Sequence, residues 1–233
     1  MSRFKKVEWG MFERVRVFGK KRPPPEKHLP YFQFVKNLPP TGCPVCAQTR
    51  ASLGEWFENL LYESANDRPL RHRFDAERGL CARHAHRLCA AKDGLGAAIV
   101  YRNLLELTVA SLGRGSPPPL NEGKCVACDH EDDAESRCVG LVADFLDEEG
   151  MKAALSATDG LCMPHLAAVM RQNRNPPHWF LEMHRANCAR LLEVLLRYID
   201  SQKLSTEARR AVLSFEDEMA WKRLAPMLAG EEG

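Results

Sequence analysis

Gly79-Leu80-Cys81-Ala82-Arg83-His84 and, 81 residues later, Gly160-Leu161-Cys162-Met163-Pro164-His165 decide how this chain reads. Proline is tolerated in the first turn of a helix and poorly further in, so Pro164 marks a helix start. Cys162 then stands at that start and His165 on its first turn, with Cys81 and His84 matching them by position. Residues three apart share a helical face, so each pair can point at one ion, and the free amides of the helix end favour the thiolate.

Each motif is preceded by a CxxC pair, Cys43-Pro44-Val45-Cys46 in the first copy and Cys125-Val126-Ala127-Cys128 in the second. A lone CxxC is weak evidence of anything. Two of them, each followed by CxxH at nearly the same distance, predict two metal sets of three thiolates and one imidazole. The first is expected to be Cys43, Cys46, Cys81 and His84, and the second Cys125, Cys128, Cys162 and His165. Borderline-soft Zn²⁺ suits such S₃N sets and is the expected ion. An iron–sulfur cluster is the alternative, because histidine can replace a cysteine ligand and tune the potential. Covalent haem is excluded, since Ala47 and Asp129 stand where CxxCH needs histidine.

The apolar pattern between these motifs is helical. Leu53, Trp56, Phe57, Leu60 and Leu61 form one stripe, and Cys138, Leu141, Val142, Phe145 and Leu146 repeat it. Further helices are predicted over 82–91, 95–112, 163–172, 179–200 and 206–228, with a tether from Pro23-Pro24-Pro25 to Pro39-Pro40. Strand signals are weak. The predicted fold is mostly α, as two tandem helical metal-binding repeats: residues 1–28 a basic N-terminal segment, 29–113 the first Cys3His repeat, 114–202 the second, and 203–233 a C-terminal helix.

With 233 residues, 45% hydrophobic and 27% charged, the chain is composed as a globular protein. No stretch is expected to reach the roughly 18 apolar residues of a membrane span, and Met1 to Lys21 lacks the apolar core of a secretory signal. Nine cysteines in such a chain are expected to be reduced, which places it in the cytoplasm. The formal charge of +2 points to no polyanionic partner. Basic residues do crowd the first 28 positions (Arg3, Lys5, Lys6, Arg14, Arg16, Lys20, Lys21, Arg22, Lys27), with apolar residues at helical spacing. That segment either packs on its own domain or meets a protein, an anionic surface or nucleic acid.

The remaining cysteines, Cys89, Cys138 and Cys188, lack counterparts in the other copy and are expected in the core. His86 matches Ala167 and points away from His84, while His28, His72, His130, His178 and His184 receive no role. Asp129, Glu131, Asp132 and Asp133 read as a solvated helix start. No HExxH, P-loop, GxGxxG or GxSxG is present, and four protein ligands leave no open metal position, so no catalytic residue is assigned.

Together with Glu216, Glu218, Trp221 and Arg223 near the end, these motifs resemble an uncharacterised family of bacterial proteins with duplicated CPxC…GLCxxH metal-binding motifs. The likeness spans most of residues 29–230 and departs at Val126, where the first copy has Pro44. It implies the eight ligands and no reaction. The expected function is therefore that of a non-enzymatic zinc-binding adaptor or regulatory module with a protein partner; an iron–sulfur electron carrier and a nucleic-acid-binding regulator are the alternatives.

Overall fold

A computed structural model describes residues 26–62, 67–91 and 93–231, so residues 1–25 of the basic segment lie outside the described residues. The fold is helical, with no strand among the described residues. In chain order the helices are α1 (Leu29–Lys36), α2 (Pro44–Tyr62), α3 (Arg68–Ala76), α4 (Ala82–Ala90), α5 (Gly94–Gly113) and α6 (Val126–Phe145). They continue as α7 (Glu149–Ser156), α8 (Met163–Gln172), α9 (His178–Ser201), α10 (Thr206–Val212), α11 (Phe215–Glu218) and α12 (Leu224–Ala229), with a 3₁₀ turn over Ala220–Arg223 before the last.

The long helices α2 and α6 form the axis of the molecule and run antiparallel. Val45, at the start of α2, packs in one core with Val139, Val142 and Phe145 near the end of α6. Leu53, Phe57, Leu60 and Leu61, further along α2, share a second core with Val126 and Ala127 at the start of α6. His130 locks the middle: its Nε2 lies 3.1 Å from Ser52 Oγ, and its ring stacks on Trp56 with centroids 5.7 Å apart.

Around this axis the first core gathers α1, α7, α8 and α9 through Tyr31, Phe34, Met151, Leu155, Val169 and Phe180. The second gathers α3, α4 and α5 through Phe74, Leu88 and Val100. Each core therefore draws on both sides of the expected boundary at residues 113 and 114. This differs from two self-contained repeats, and helix length is the cause. At 1.5 Å per residue the 19 residues of α2 carry the chain about 28 Å from its CxxC, so α3 and α4 fold at the far end.

Three further expectations are corrected. The tether before Pro39 contains α1, where Pro30 opens a helix that buries Tyr31 and Phe34. The C-terminal helix is broken: Leu213 is extended and buried, and Ser214 restarts the chain with a reciprocal capping box to Asp217. Finally, α5 is long and apolar enough, by length and composition, to cross a membrane. It carries Arg102 and Glu106 at its middle and packs on the second core through Gly96 and Val100.

Candidate metal centres

Every predicted ligand lies at a helix start. Cys81, Cys125 and Cys162 are the N-cap residues of α4, α6 and α8, and Cys43 directly precedes Pro44, the first residue of α2. Cys46, His84, Cys128 and His165 occupy the third helical position of the same helices. The CxxC pairs are thus helix starts rather than free-standing turns. N-cap and third position face the same side, and both lie where the positive end of the helix dipole favours a thiolate.

The structure brings all eight residues into two clusters, but not in the expected grouping. Cys43 and Cys46 meet Cys162 and His165, whereas Cys81 and His84 meet Cys125 and Cys128. Each CxxC is paired with the CxxH of the other copy. The antiparallel axis is the reason, because it lays the start of α6 beside α4 and the start of α2 beside α8.

Both sets have the dimensions of a tetrahedron. With Zn–S of about 2.3 Å and Zn–N of about 2.05 Å, the edges are about 3.8 Å between sulfurs and about 3.5 Å from sulfur to nitrogen. In the α2/α8 set Cys46 Sγ and Cys162 Sγ are 3.8 Å apart, and His165 Nδ1 lies 3.1–3.4 Å from Cys43, Cys46 and Cys162. In the α4/α6 set Cys128 Sγ is 3.7 Å from Cys125 and 3.8 Å from Cys81, and His84 Nδ1 is 3.4 Å from all three sulfurs. Two Cys/His clusters that could hold a metal ion are therefore present.

Both imidazoles turn Nδ1 to the sulfurs and Nε2 to a carboxylate on α6. His165 Nε2 lies 3.1 Å from Glu135, and the buried His84 Nε2 lies 3.5 Å from Glu131 without hydrogen-bond geometry. A carboxylate behind a ligating histidine fixes its tautomer and raises its basicity. Glu131 also accepts two hydrogen bonds from Arg83, which hold its carboxyl below the usual carboxylate range. It is therefore not part of a solvated helix start. Asp129, by contrast, is an exposed pairing partner of Arg73 and Lys124, and Asp132 of Lys124.

The crowded thiols oppose one another's ionisation. Hydrogen bonds from Cys162 and Cys43 drive Cys46 well below the thiol range, and contacts with Cys43 and Cys46 drive Cys162 well above it. Burial disfavours charge on His165, but its bonds to Cys43 and Cys46 outweigh this and push it up to about 10. In the other set burial raises Cys128 to about 11 and lowers His84, while Cys81 is lowered against burial by the His84 amide and by Cys128 and Cys125. A dication removes this conflict by letting all three sulfurs carry charge. The donor set and its spacing fit a metal.

The loops that aim the N-cap cysteines combine the Gly-Leu of each motif with polar residues, His184 and Asn121, that the sequence left without a role. Gly79 (φ 89°) and Gly160 (φ 83°) are left-handed, a conformation that favours glycine. Each is followed by a core leucine, Leu80 or Leu161. His184 Nε2 accepts the Leu161 amide at 2.9 Å, with Nδ1 2.7 Å from the Phe180 carbonyl. Asn121, in the expected inter-repeat linker, donates to the carbonyls of Glu77 and Gly79. The only signal for these residues is their distance from each GLCxxH, which carries no chemistry by itself. Cys89, expected in the core, is exposed; Cys138 and Cys188 are half-buried, and His86 is exposed.

The α2/α8 set is closed by the chain's last described residues. The Glu231 amide donates to Cys46 Sγ at 3.5 Å, and its carboxylate accepts from the Cys43 amide at 3.1 Å and pairs with Arg50.

No family model and no solved structure matches this chain. It is similar, at 28% identity over 147 residues, to an "Uncharacterized 23.9 kDa protein in xynA 3'region" of Caldicellulosiruptor sp. (strain Rt8B.4), a match covering 60% of this chain and 70% of that protein.

Proposed function

We propose that this chain is a non-enzymatic helical interaction module whose two halves are fastened to each other by two structural zinc ions. The observation that carries it is the pair of S₃N tetrahedra, each closed by four protein ligands from two distant segments. Catalytic zinc keeps a position for water, and four protein ligands leave none. Sulfurs 3.7–3.8 Å apart suit one shared ion better than a cluster whose irons take separate thiolates. Nine free cysteines favour a reducing compartment such as the cytoplasm.

A protein partner is favoured by apolar side chains left on helix surfaces. Leu95, Leu105, Val109 and Leu112 on α5 and Leu192, Leu196 and Ile199 on α9 are all more than half exposed among the described residues. Elemental analysis of protein purified without added metal should find two zinc ions per chain and no visible absorption. Removing them should melt helicity cooperatively. Unchanged helicity after complete demetallation would overturn the structural role, and a coloured, iron-containing protein would overturn the zinc.

A further inference from the structure

The two sets have the same ligands and different covers. In the α2/α8 set all four ligands are buried. Gly230 lies over its sulfurs, where an added Cβ would meet Cys162 Sγ at 3.8 Å and Cys46 Sγ at 3.9 Å. The Glu231 amide bonds the Cys46 sulfur, and the Glu231 carboxylate is held by the Cys43 amide and Arg50. Arg223 ties the same stretch to Asp159, whose other oxygen accepts the Gly42 amide. This strap covers the sulfurs and donates to one of them.

Nothing equivalent lies over the α4/α6 set among the described residues. Cys125 and His84 are buried, but Cys81 and Cys128 are only half-buried, so two of the three cysteines keep contact with solvent. Beside them Arg83, 48% exposed, presents a guanidinium that is engaged on only one flank by Glu131. Three thiolates, one neutral histidine and a dication leave this set with one net negative charge. The adjacent Arg83–Glu131 pair adds no net charge, so access to this set is decided by the exposure of Cys81 and Cys128.

We infer that the α4/α6 set is an exchangeable metal site, open through Cys81 and Cys128 to small anionic metal-binding ligands such as thiolates and polycarboxylates, while the strapped α2/α8 set retains its ion. The inference rests on the metal reading of both sets. In the exchange the ion passes to the incoming ligand without change of oxidation state. Cys81, Cys125 and Cys128 then take up protons from solvent.

The test is release of zinc from the two-zinc protein into excess EDTA, followed with a chromogenic zinc indicator, with iodoacetamide alkylation mapped by mass spectrometry during the release. Two phases of one equivalent each are expected, with Cys81, Cys125 and Cys128 alkylated during the fast phase and Cys43, Cys46 and Cys162 only during the slow one. Glu231→Ala should speed the slow phase by about 10-fold or more, the scale on which groups behind a metal ligand act, and leave the fast phase unchanged. Simultaneous loss of both ions, or earlier alkylation of Cys43, Cys46 and Cys162, would overturn the inference while leaving two structural zincs intact. A protein that never holds two equivalents would overturn the metal reading and this inference with it.

Discussion

Cys46 Sγ lies 3.8 Å from Cys162 Sγ although 116 residues separate them. Cys81, which sequence order assigns to Cys46, instead lies 3.8 Å from Cys128. Whether two cysteines share an ion is thus set by the antiparallel pairing of α2 and α6.

Paired serine substitutions distinguish the two groupings. Cys46→Ser with Cys162→Ser damages one set and should cost one of two zinc equivalents. Cys46→Ser with Cys81→Ser damages both sets and should cost two. Zinc content of the purified variants reads the result directly, and the opposite pattern would restore grouping within each copy.

The two α6 carboxylates should act on metal affinity without being ligands. Glu131→Gln and Glu135→Gln are each expected to weaken zinc binding at one set by about 10- to 100-fold. Glu131 should have the larger effect, being 14% exposed and fixed by Arg83 where Glu135 is 44% exposed. Competition titration against a chelator of known affinity checks both.

His184 should give stability a slope in mildly acidic solution. Burial holds its pKa below the ordinary 6.5, against the opposing pull of the Phe180 carbonyl. The unfolded chain binds this proton more readily than the folded one. Its contribution is therefore complete above pH 6.5 and is lost as pH falls from there through the lowered folded value. His184→Leu should cost about 1–3 kcal/mol at pH 7.5, where the Leu161 amide loses its acceptor, and less as pH falls. Denaturant unfolding of both proteins from pH 7.5 to 5 measures the difference.

Leu53 is fully buried where α2 meets the second core. Leu53→Ala should destabilise the metal-loaded protein by about 2–5 kcal/mol, seen as a lower denaturant midpoint with little change in slope. An effect under about 1 kcal/mol would mean that this core collapses around the cavity.

Much of this architecture was legible in the chain. Pro164 placed the start of α8 and, by register, Cys81 at the start of α4. The eight residues of the two clusters followed from residue type and spacing, because a set able to hold a metal asks for little else. Their grouping did not follow, since it depends on where α2 ends, and an amphipathic stripe states which face is buried without stating against what. The short helices α1, α3 and α7 have too few turns for a periodic stripe, and each rests on one or two buried anchors such as Phe34, Phe74 or Met151. Glu131, Glu135 and His184 are ordinary helix residues until the fold sets an imidazole or an amide opposite them.

The crossed pairing makes the closures of the two Cys/His clusters nested, like one pair of brackets inside another. The inner one, Cys81 to Cys128, spans 47 residues, and the outer one, Cys46 to Cys162, spans 116. Closing the longer loop costs about 0.8 kcal/mol more chain entropy by the logarithmic rule. During synthesis, a chain emerging from its N-terminus completes the inner ligand set first. The outer set needs His165, and its cover needs Glu231, which lies 185 residues after Cys46. The more exposed cluster is thus the first that the growing chain can assemble, and the sealed one the second.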